Sequence, residues 1–323
     1  MTNVGVIGVG SMGSNHARVY STLPEVDLVG VADADEERAA EVAERYETTA
    51  LDRRSLIERA DAVSIVVPTR FHYEIARECI EAGVDVLVEK PFVDDPERGE
   101  ELVELAEREG VVVQVGHIER FNPAVLALED VLADKEVLAY EVRRLGPDPG
   151  RDIQDSIVTD LMIHDIDIVR TLAGEAPASI DGVGRSDGKH ATATLTFPDG
   201  SMATLTASRV TQRKIRELGI ATDEGYVSVD YLDRRIEIYR GSMKQLIDHE
   251  GEGRYRHESV IERPFVENTE PLKKELDAFV EGVRDTRQSA IPPEDGLAAV
   301  RLAKEIERNA FPDGTTREDA TDE

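Results

Sequence analysis

Three groups of residues in this sequence have types and spacings that could do chemistry. Gly8, Gly10 and Gly13, with Ser11 and Met12 between the last two, spell G-x-G-x-x-G directly after the apolar run Val4–Ile7. Between a strand and a helix, the first glycine permits a tight turn. The second lets backbone approach a pyrophosphate, and the third lets the helix pack on the strand. The helix start adds N–H groups and a partial positive charge for the anion. About 20 positions on, where the pattern wants an acid, stands Asp33. A carboxylate there accepts from ribose hydroxyls and repels a 2′-phosphate. Ala34 follows, so the expected cofactor is NAD rather than NADP, with Arg38 the one nearby feature against that choice.

The second group is Asp160 and His164, one helical turn apart. At 100° per residue, Asp160, His164, Asp167 and Thr171 fall within roughly 60° of arc. Ile157, Val158, Leu161, Met162, Ile168, Val169 and Leu172 share the other side, so the pair would occupy a face separate from an apolar stripe. An imidazole suits proton abstraction near neutral pH, and a carboxylate one turn earlier can orient it. The third is Lys90, at the end of the run Val84–Val88, where an ammonium could stabilise a developing alkoxide. Ordinary readings compete: a solvated lysine at a strand end, and a surface Asp/His pair worth a few tenths of a kcal/mol. Zinc bound by Asp160, His164 and Asp167 is a weaker alternative, since no further histidine motif completes a site. Asp165 falls within the apolar arc, where a charge must be paired or lie at a boundary.

The elements that must position these residues form two patterns. Strands at Val4–Ile7, Val26–Ala32, Ala62–Val67, Val84–Val88 and Val111–Val115 alternate with helices at Ser11–Ser21, Glu36–Tyr46, Ile75–Glu81 and Pro96–Glu109. Near-continuous Val and Ile runs spaced by helices predict a doubly wound parallel sheet. A weaker strand is expected near Thr48–Leu51. From Phe121 the pattern changes. Helices are expected at Pro123–Leu132 and Ser156–Leu172, with a strand at Val137–Leu145. Ser179 to Tyr239 reads as strand and turn, including a hairpin around Pro198-Asp199-Gly200 and a pair at Tyr226–Asp230 and Arg235–Tyr239. Helices at Pro271–Val283 and Glu294–Asn309 close the chain. The expected fold class is α/β: an N-terminal Rossmann domain over residues 1–120, then an α+β domain with a largely antiparallel open sheet over 121–311. A flexible acidic tail is expected over 312–323.

Composition narrows the partners. Asp plus Glu number 67 against 38 Lys plus Arg, a net charge of −29, and only 8 of the bases are lysine. Such charge disfavours nucleic acid and anionic membranes. It suits a salt-rich cytoplasm, because about 1 M salt shortens the screening length to about 3 Å and quenches self-repulsion. Cys79 is the single cysteine, which leaves no internal disulfide and no cysteine-based zinc site. A strand pattern begins by Asn3, so no signal peptide is expected, and no run approaches the ~20 apolar residues of a membrane span.

Further segments resemble a known family. Glu89-Lys90-Pro91 ends one Rossmann strand; Pro68-Thr69 and His72 follow another; Asp160-Leu161-Met162-Ile163-His164 lies downstream. With Gly8–Gly13 and His16, these are similar to the glucose–fructose oxidoreductase/inositol dehydrogenase/rhizopine catabolism family, Gfo/Idh/MocA, over nearly the whole chain. The resemblance implies NAD(P)-dependent oxidation or reduction of a sugar, a cyclitol or a nucleotide sugar. It implies catalysis by Lys90, Asp160 and His164, which also touch substrate. It implies cofactor contacts from Pro68, Thr69, His72, Glu89 and Lys90 beside Gly8, Gly10, Ser11, Met12, Gly13 and Asp33, a cis Lys90–Pro91 bond, and homodimers or homotetramers. An open antiparallel sheet would be a natural self-association face.

The stretch Gly116–Pro123 resembles the branch that oxidises C3 of UDP-linked N-acetylhexosamines. His117 and Arg120 are its candidate substrate contacts, Arg209 and Arg213 weaker candidates for the diphosphate. Arg120 could instead serve a packing salt bridge. A myo-inositol or aldose dehydrogenase is the alternative within the enzyme class, and a non-catalytic NAD(P)-binding regulator the alternative of another class. Regulators of that kind are expected to lack the lysine or the histidine, which this sequence keeps.

Overall fold

A computed structural model describes residues 1–148, 150, 155–241, 245–249, 252–256 and 259–313. The chain forms two compact units. The first joins Met1–Phe121 to Thr269–Ala303; the second joins Asn122–Asn268 to the residues from Lys304 on. A linear division at residue 120 misses the return of Thr269–Ala303 to the first unit. The helix Pro271–Glu281 lays Leu272, Leu276, Phe279 and Val280 into the same core as Val4, Val6, Ala17 and Val31. An apolar stripe shows that a helix needs a partner, but not which one. The expected acidic tail lies outside the described residues from 314 on.

In the first unit, β1 (Thr2–Ile7), α1 (Ser11–Tyr20), β2 (Val26–Ala32), α2 (Glu36–Arg45), α3 (Arg53–Ile57), β3 (Ala62–Ile65), α4 (His72–Glu81), β4 (Asp85–Glu89), α5 (Pro96–Glu109) and β5 (Val113–Gly116) follow in sequence. The strands form one parallel sheet in the order β2-β1-β3-β4-β5. β3, β4 and β5 are buried along their whole length, as unbroken apolar runs require. Asp35 and Asp95 cap α2 and α5 by accepting backbone N–H bonds. Thr48–Leu51 is not a strand; it makes only an isolated bridge, Ala50 to Val31. Burial of Cys79 pushes its thiol up to about 12, which makes it inert.

In the second unit, α6 (Pro123–Leu126) and α7 (Leu128–Leu132) are two short helices where one was expected. Then come β6 (Val137–Leu145), α8 (Ile163–Ala173), β7 (Ser179–Gly184), β8 (His190–Thr196), β9 (Met202–Ser208), β10 (Ile215–Thr222), β11 (Gly225–Asp230), β12 (Arg235–Gly241), β13 (Gln245–His249), β14 (Glu252–Arg256) and β15 (Ser259–Glu262). Eight of these strands make one sheet, β15-β12-β11-β10-β6-β9-β8-β7. Only β6 and β9 pair in parallel. β8 and β9 are the expected hairpin, with Gly200 at φ 89° in the turn. Along β6, Tyr140, Val142 and Arg144 point into the core, and Glu141 and Arg143 point out. The open face also carries Thr204, Thr206, Tyr226 and Tyr239. Among the described residues, no helix is long and apolar enough to cross a membrane.

Candidate active site

In the first unit, the loop from β1 into α1 has the geometry that its glycines predict. Gly8 has φ 88°, and a Cβ there would lie 2.4 Å from the Val66 carbonyl oxygen. A Cβ on Gly13 would lie 1.8 Å from the Gly8 oxygen. Both glycines are therefore required by the protein's own packing. Gly10 differs: a Cβ there would meet nothing within 4 Å, so its small size serves something outside the fold. The N-terminus of α1 has no side-chain cap and no acid in its first turn. In so acidic a chain this leaves the N–H groups of Ser11, Met12 and Gly13 as an anion cradle.

Asp33 sits across the loop. Its Oδ2 accepts the Val9 N–H at 2.7 Å and its Oδ1 the Asp35 N–H at 2.9 Å. Arg38 donates to Asp35 at 2.7 Å and stands 3.5 Å from Asp33. Gly8, Gly10, Asp33, Asp35, Arg38 and Pro68 share a cavity of about 770 Å³, in the size range of a cofactor cleft. The residues fit a dinucleotide. A second cavity, about 610 Å³, lies by Thr2, Asp61 and Asp85 at the amino ends of the strands. Ligands of doubly wound sheets bind at the carboxyl ends, so the first cavity is the relevant one.

Buried Thr69 begins a turn after Pro68, and His72 begins α4. The His72 ring bridges two loops, with Nδ1 2.9 Å from the Pro91 oxygen and Nε2 2.8 Å from the Val67 oxygen. Burial holds the His72 pKa down. A neutral imidazole donates from one nitrogen, so one of these two contacts is the hydrogen bond. The His72 ring thus lies between the Pro68–Thr69 turn and the segment carrying Lys90. The Lys90–Pro91 peptide is cis. Glu89 is buried and accepts the Lys90 backbone N–H at 3.1 Å. His117 is buried. Arg120 donates to Asp295 at 2.8 Å, an ion pair within the first unit.

In the second unit, Asp160 lies in a π-helical turn, Val158–Met162, which feeds α8. The wider turn departs from the even 100° spacing used on the sequence. The burial pattern departs as well: Ile163 and the whole run Asp165–Val169 are buried, Asp167 included, and His164 stays partly exposed. Asp167, three residues after His164 in the regular helix α8, is buried where His164 is partly exposed. Asp165 is in the core, as the apolar arc required, and is paired. Arg144 on β6 grips it through Nε at 2.8 and 2.9 Å and Nη2 at 2.7 Å. Asp160 has a partner that the sequence did not suggest. Arg209, just after β9, donates to its Oδ2 at 2.7 Å. Arg209 had been a weak candidate for a diphosphate contact; nothing in its local sequence pairs it with Asp160.

Residues 2–117 match the oxidoreductase family with an NAD-binding Rossmann fold, and residues 144–238 match the GFO/IDH/MocA C-terminal domain. UDP-N-acetylglucosamine 3-dehydrogenase of Acidithiobacillus ferrooxidans is 38% identical over 241 residues, 73% of this chain and 76% of that protein. The chain belongs to the Gfo/Idh/MocA family. A solved structure of UDP-N-acetylglucosamine 3-dehydrogenase from the same organism has a TM-score of 0.87 at 31% identity, covering 96% of this chain and 97% of that one. Inositol 2-dehydrogenase 2 of Saccharopolyspora erythraea is 36% identical over 183 residues, 54% of each chain. Like its family, this Gfo/Idh/MocA member is an NAD-binding oxidoreductase.

Proposed function

We propose that this chain is an NAD-dependent dehydrogenase that oxidises the C3 hydroxyl of a UDP-linked N-acetylhexosamine. The observation that carries the substrate is its 38% identity to the A. ferrooxidans UDP-N-acetylglucosamine 3-dehydrogenase. Bound NAD supplies the hydride acceptor. In this reading the N–H groups of Ser11, Met12 and Gly13 hold the pyrophosphate over Gly8 and Gly10. Asp33 takes the ribose hydroxyls. The engagement of Arg38 by Asp35 supports NAD over NADP, since a 2′-phosphate would need that guanidinium. Pro68, Thr69 and Glu89 shape the nicotinamide end, with His72 fixing the loops.

His164 takes the hydroxyl proton, and the Asp160 carboxylate, held by Arg209, stabilises the imidazolium that forms. The Lys90 ammonium holds the reacting oxygen as its charge grows. His117 and Arg120 border the sugar, Arg120 oriented by Asp295. General-base catalysis of this kind contributes about 10²- to 10⁴-fold. The open sheet face of tyrosines, threonines and Glu–Arg pairs such as Arg143–Glu217 suits a homodimer or homotetramer. The net charge of −29 suits a salt-rich cytoplasm.

The test is NADH formation in high-salt buffer with UDP-N-acetylglucosamine, myo-inositol, glucose and xylose in parallel, and NADP as control. Turnover of the nucleotide sugar alone, lost in His164→Ala, is the expected result. Turnover of myo-inositol instead would favour the second reading, which rests on the 36% identity to an inositol 2-dehydrogenase. NAD binding without turnover on any substrate would point to a regulator.

A further inference from the structure

Among the described residues of the first unit, His16, Glu89 and Glu275 stand together, with one polar atom of each within 4.8 Å of the other two. They come from α1, from the end of β4 and from the helix Pro271–Glu281. His16 and Glu275 have no exposed surface. His16 Nε2 lies 3.1 Å from Glu89 Oε1, and Glu89 Oε2 accepts the Lys90 N–H at 3.1 Å. Among the described residues, neither side-chain oxygen of Glu275 has a hydrogen-bond partner; the Glu89 carboxylate is placed within 4.8 Å. Gln114 donates instead to the Glu275 backbone carbonyl at 3.3 Å. A carboxylate sealed from water without a donor must take up a proton or a cation. A metal ion would want a fourth ligand and an entry path through this core; a proton needs neither.

We propose that Glu275 is a positioning residue for Lys90: it stands in the core as the neutral acid, within 4.8 Å of the Glu89 carboxylate that holds the Lys90 backbone, and directs its proton toward that carboxylate. The charges around it agree. Burial pushes the Glu275 carboxyl well above its ordinary range, and the neighbouring Glu89 charge pushes it further. Burial also raises Glu89, but the His16 hydrogen bond and charge, with Lys90, outweigh it and hold Glu89 below the usual range. Other polar groups face this core from the elements packed on it, and two of them, His16 Nδ1 and the Gln114 side-chain oxygen, have no hydrogen-bond partner among the described residues. On α1, Arg18 pairs with Glu270, and the Tyr20 hydroxyl meets Ser64 at 2.7 Å. In the turn Ile118–Phe121, Arg120 pairs with Asp295 and Glu119 is partly exposed. Lys273, Lys274, Asp277 and Glu281 are on the helix of Glu275 itself.

The claim about Lys90 rests on the proposed dehydrogenase; the claim about the proton does not, and the test separates them. Infrared spectra of the full-length protein near neutral pH should show the carbonyl stretch of a protonated carboxylic acid that Glu275→Gln lacks. Thermal unfolding supplies a second reading. An acid whose folded pKa lies above its unfolded value of 4.5 gives stability that is complete below that value and is lost as pH rises through the folded pKa. Glu275→Gln should therefore gain on the wild type as pH is raised. A constant difference, no acid band, or a stoichiometric metal in the wild type that the variant loses would overturn the proposal. In turnover, Glu275→Gln should stay within about twofold of wild type. Glu275→Leu, which cannot hold Glu89, should lose about 10- to 100-fold in kcat with KM and NAD affinity unchanged. Unchanged kcat in Glu275→Leu overturns the positioning role. A wild type that turns over no substrate would instead fault the dehydrogenase reading, leaving the spectroscopic and stability arms to decide on the proton.

Discussion

Two arginine–aspartate pairs in the second unit make an instructive contrast. Asp160 and Asp165 are five residues apart on one helical stretch, and each is met by an arginine from the sheet side. The Arg144–Asp165 side chains are 4% and 2% exposed; those of Arg209 and Asp160 are 14% and 22% exposed. Arg144 makes a three-contact grip on its partner, with Tyr231 under its guanidinium at 5.7 Å. Arg209 donates to the Oδ2 of Asp160 at 2.7 Å. Burial converts the first pair into part of the core. Partial exposure leaves the second within reach of solvent, on the helical stretch that carries His164. The same chemistry serves structure in one place and the candidate site in the other, and solvent access separates them.

The contrast can be broken in order of expected effect. The largest belongs to the proton acceptor beside the exposed pair: His164→Ala should lower kcat by about 10²- to 10⁴-fold with the melting temperature nearly unchanged. Equal loss of fold and activity would remove His164 from catalysis. Next comes the buried pair. Arg144→Leu strands a carboxylate in the core and should cost about 3–5 kcal/mol of stability in denaturant titrations, whereas Arg144→Leu with Asp165→Leu should recover much of it. A double variant no better than the single would show that the pair is not the unit of stability.

A smaller effect is expected at the exposed pair. Arg209→Met should leave stability within about 1 kcal/mol but lower kcat and shift the pH profile of turnover, because Asp160 loses the cation that holds it. A melting loss as large as that of Arg144→Leu would erase the distinction. The smallest specific effect concerns neither pair. Arg38→Ala should leave NAD turnover nearly intact; a large rise in the KM for NAD, measured by initial rates, would show that Arg38 contributes to binding rather than serving Asp35. Salt should act on the whole surface and hardly on the buried pair. Melting temperature is expected to climb between low salt and about 1 M, as screening removes self-repulsion.

Much was legible before any tertiary contact was known. The glycines of the β1–α1 loop announced their roles because each constraint is local: a left-handed φ at Gly8 and a close approach of backbone to backbone at Gly13. Strand runs and the β8–β9 hairpin were legible for the same reason, since periodicity and turn chemistry act over a few residues. Glu275 was not singled out on the sequence; its place three residues after Leu272, within what proves to be the buried stripe of its helix, is the signal that could have found it. The even spacing drawn through Asp160 and His164 failed at the π-helical turn, which no residue there announces.

The sequence by itself determined the dinucleotide loop, the alternating architecture of the first half, the change to antiparallel strands and the residue types of the candidate chemistry. Only the tertiary structure decided that Arg209 serves Asp160, that Arg144 neutralises Asp165, that Thr269–Ala303 returns to the first unit, and that His16, Glu89 and Glu275 meet in one core. The reason is range. Backbone conformation and amphipathic period are fixed by neighbours along the chain, whereas the partner of a buried charge is fixed by whatever distant element the fold brings against it.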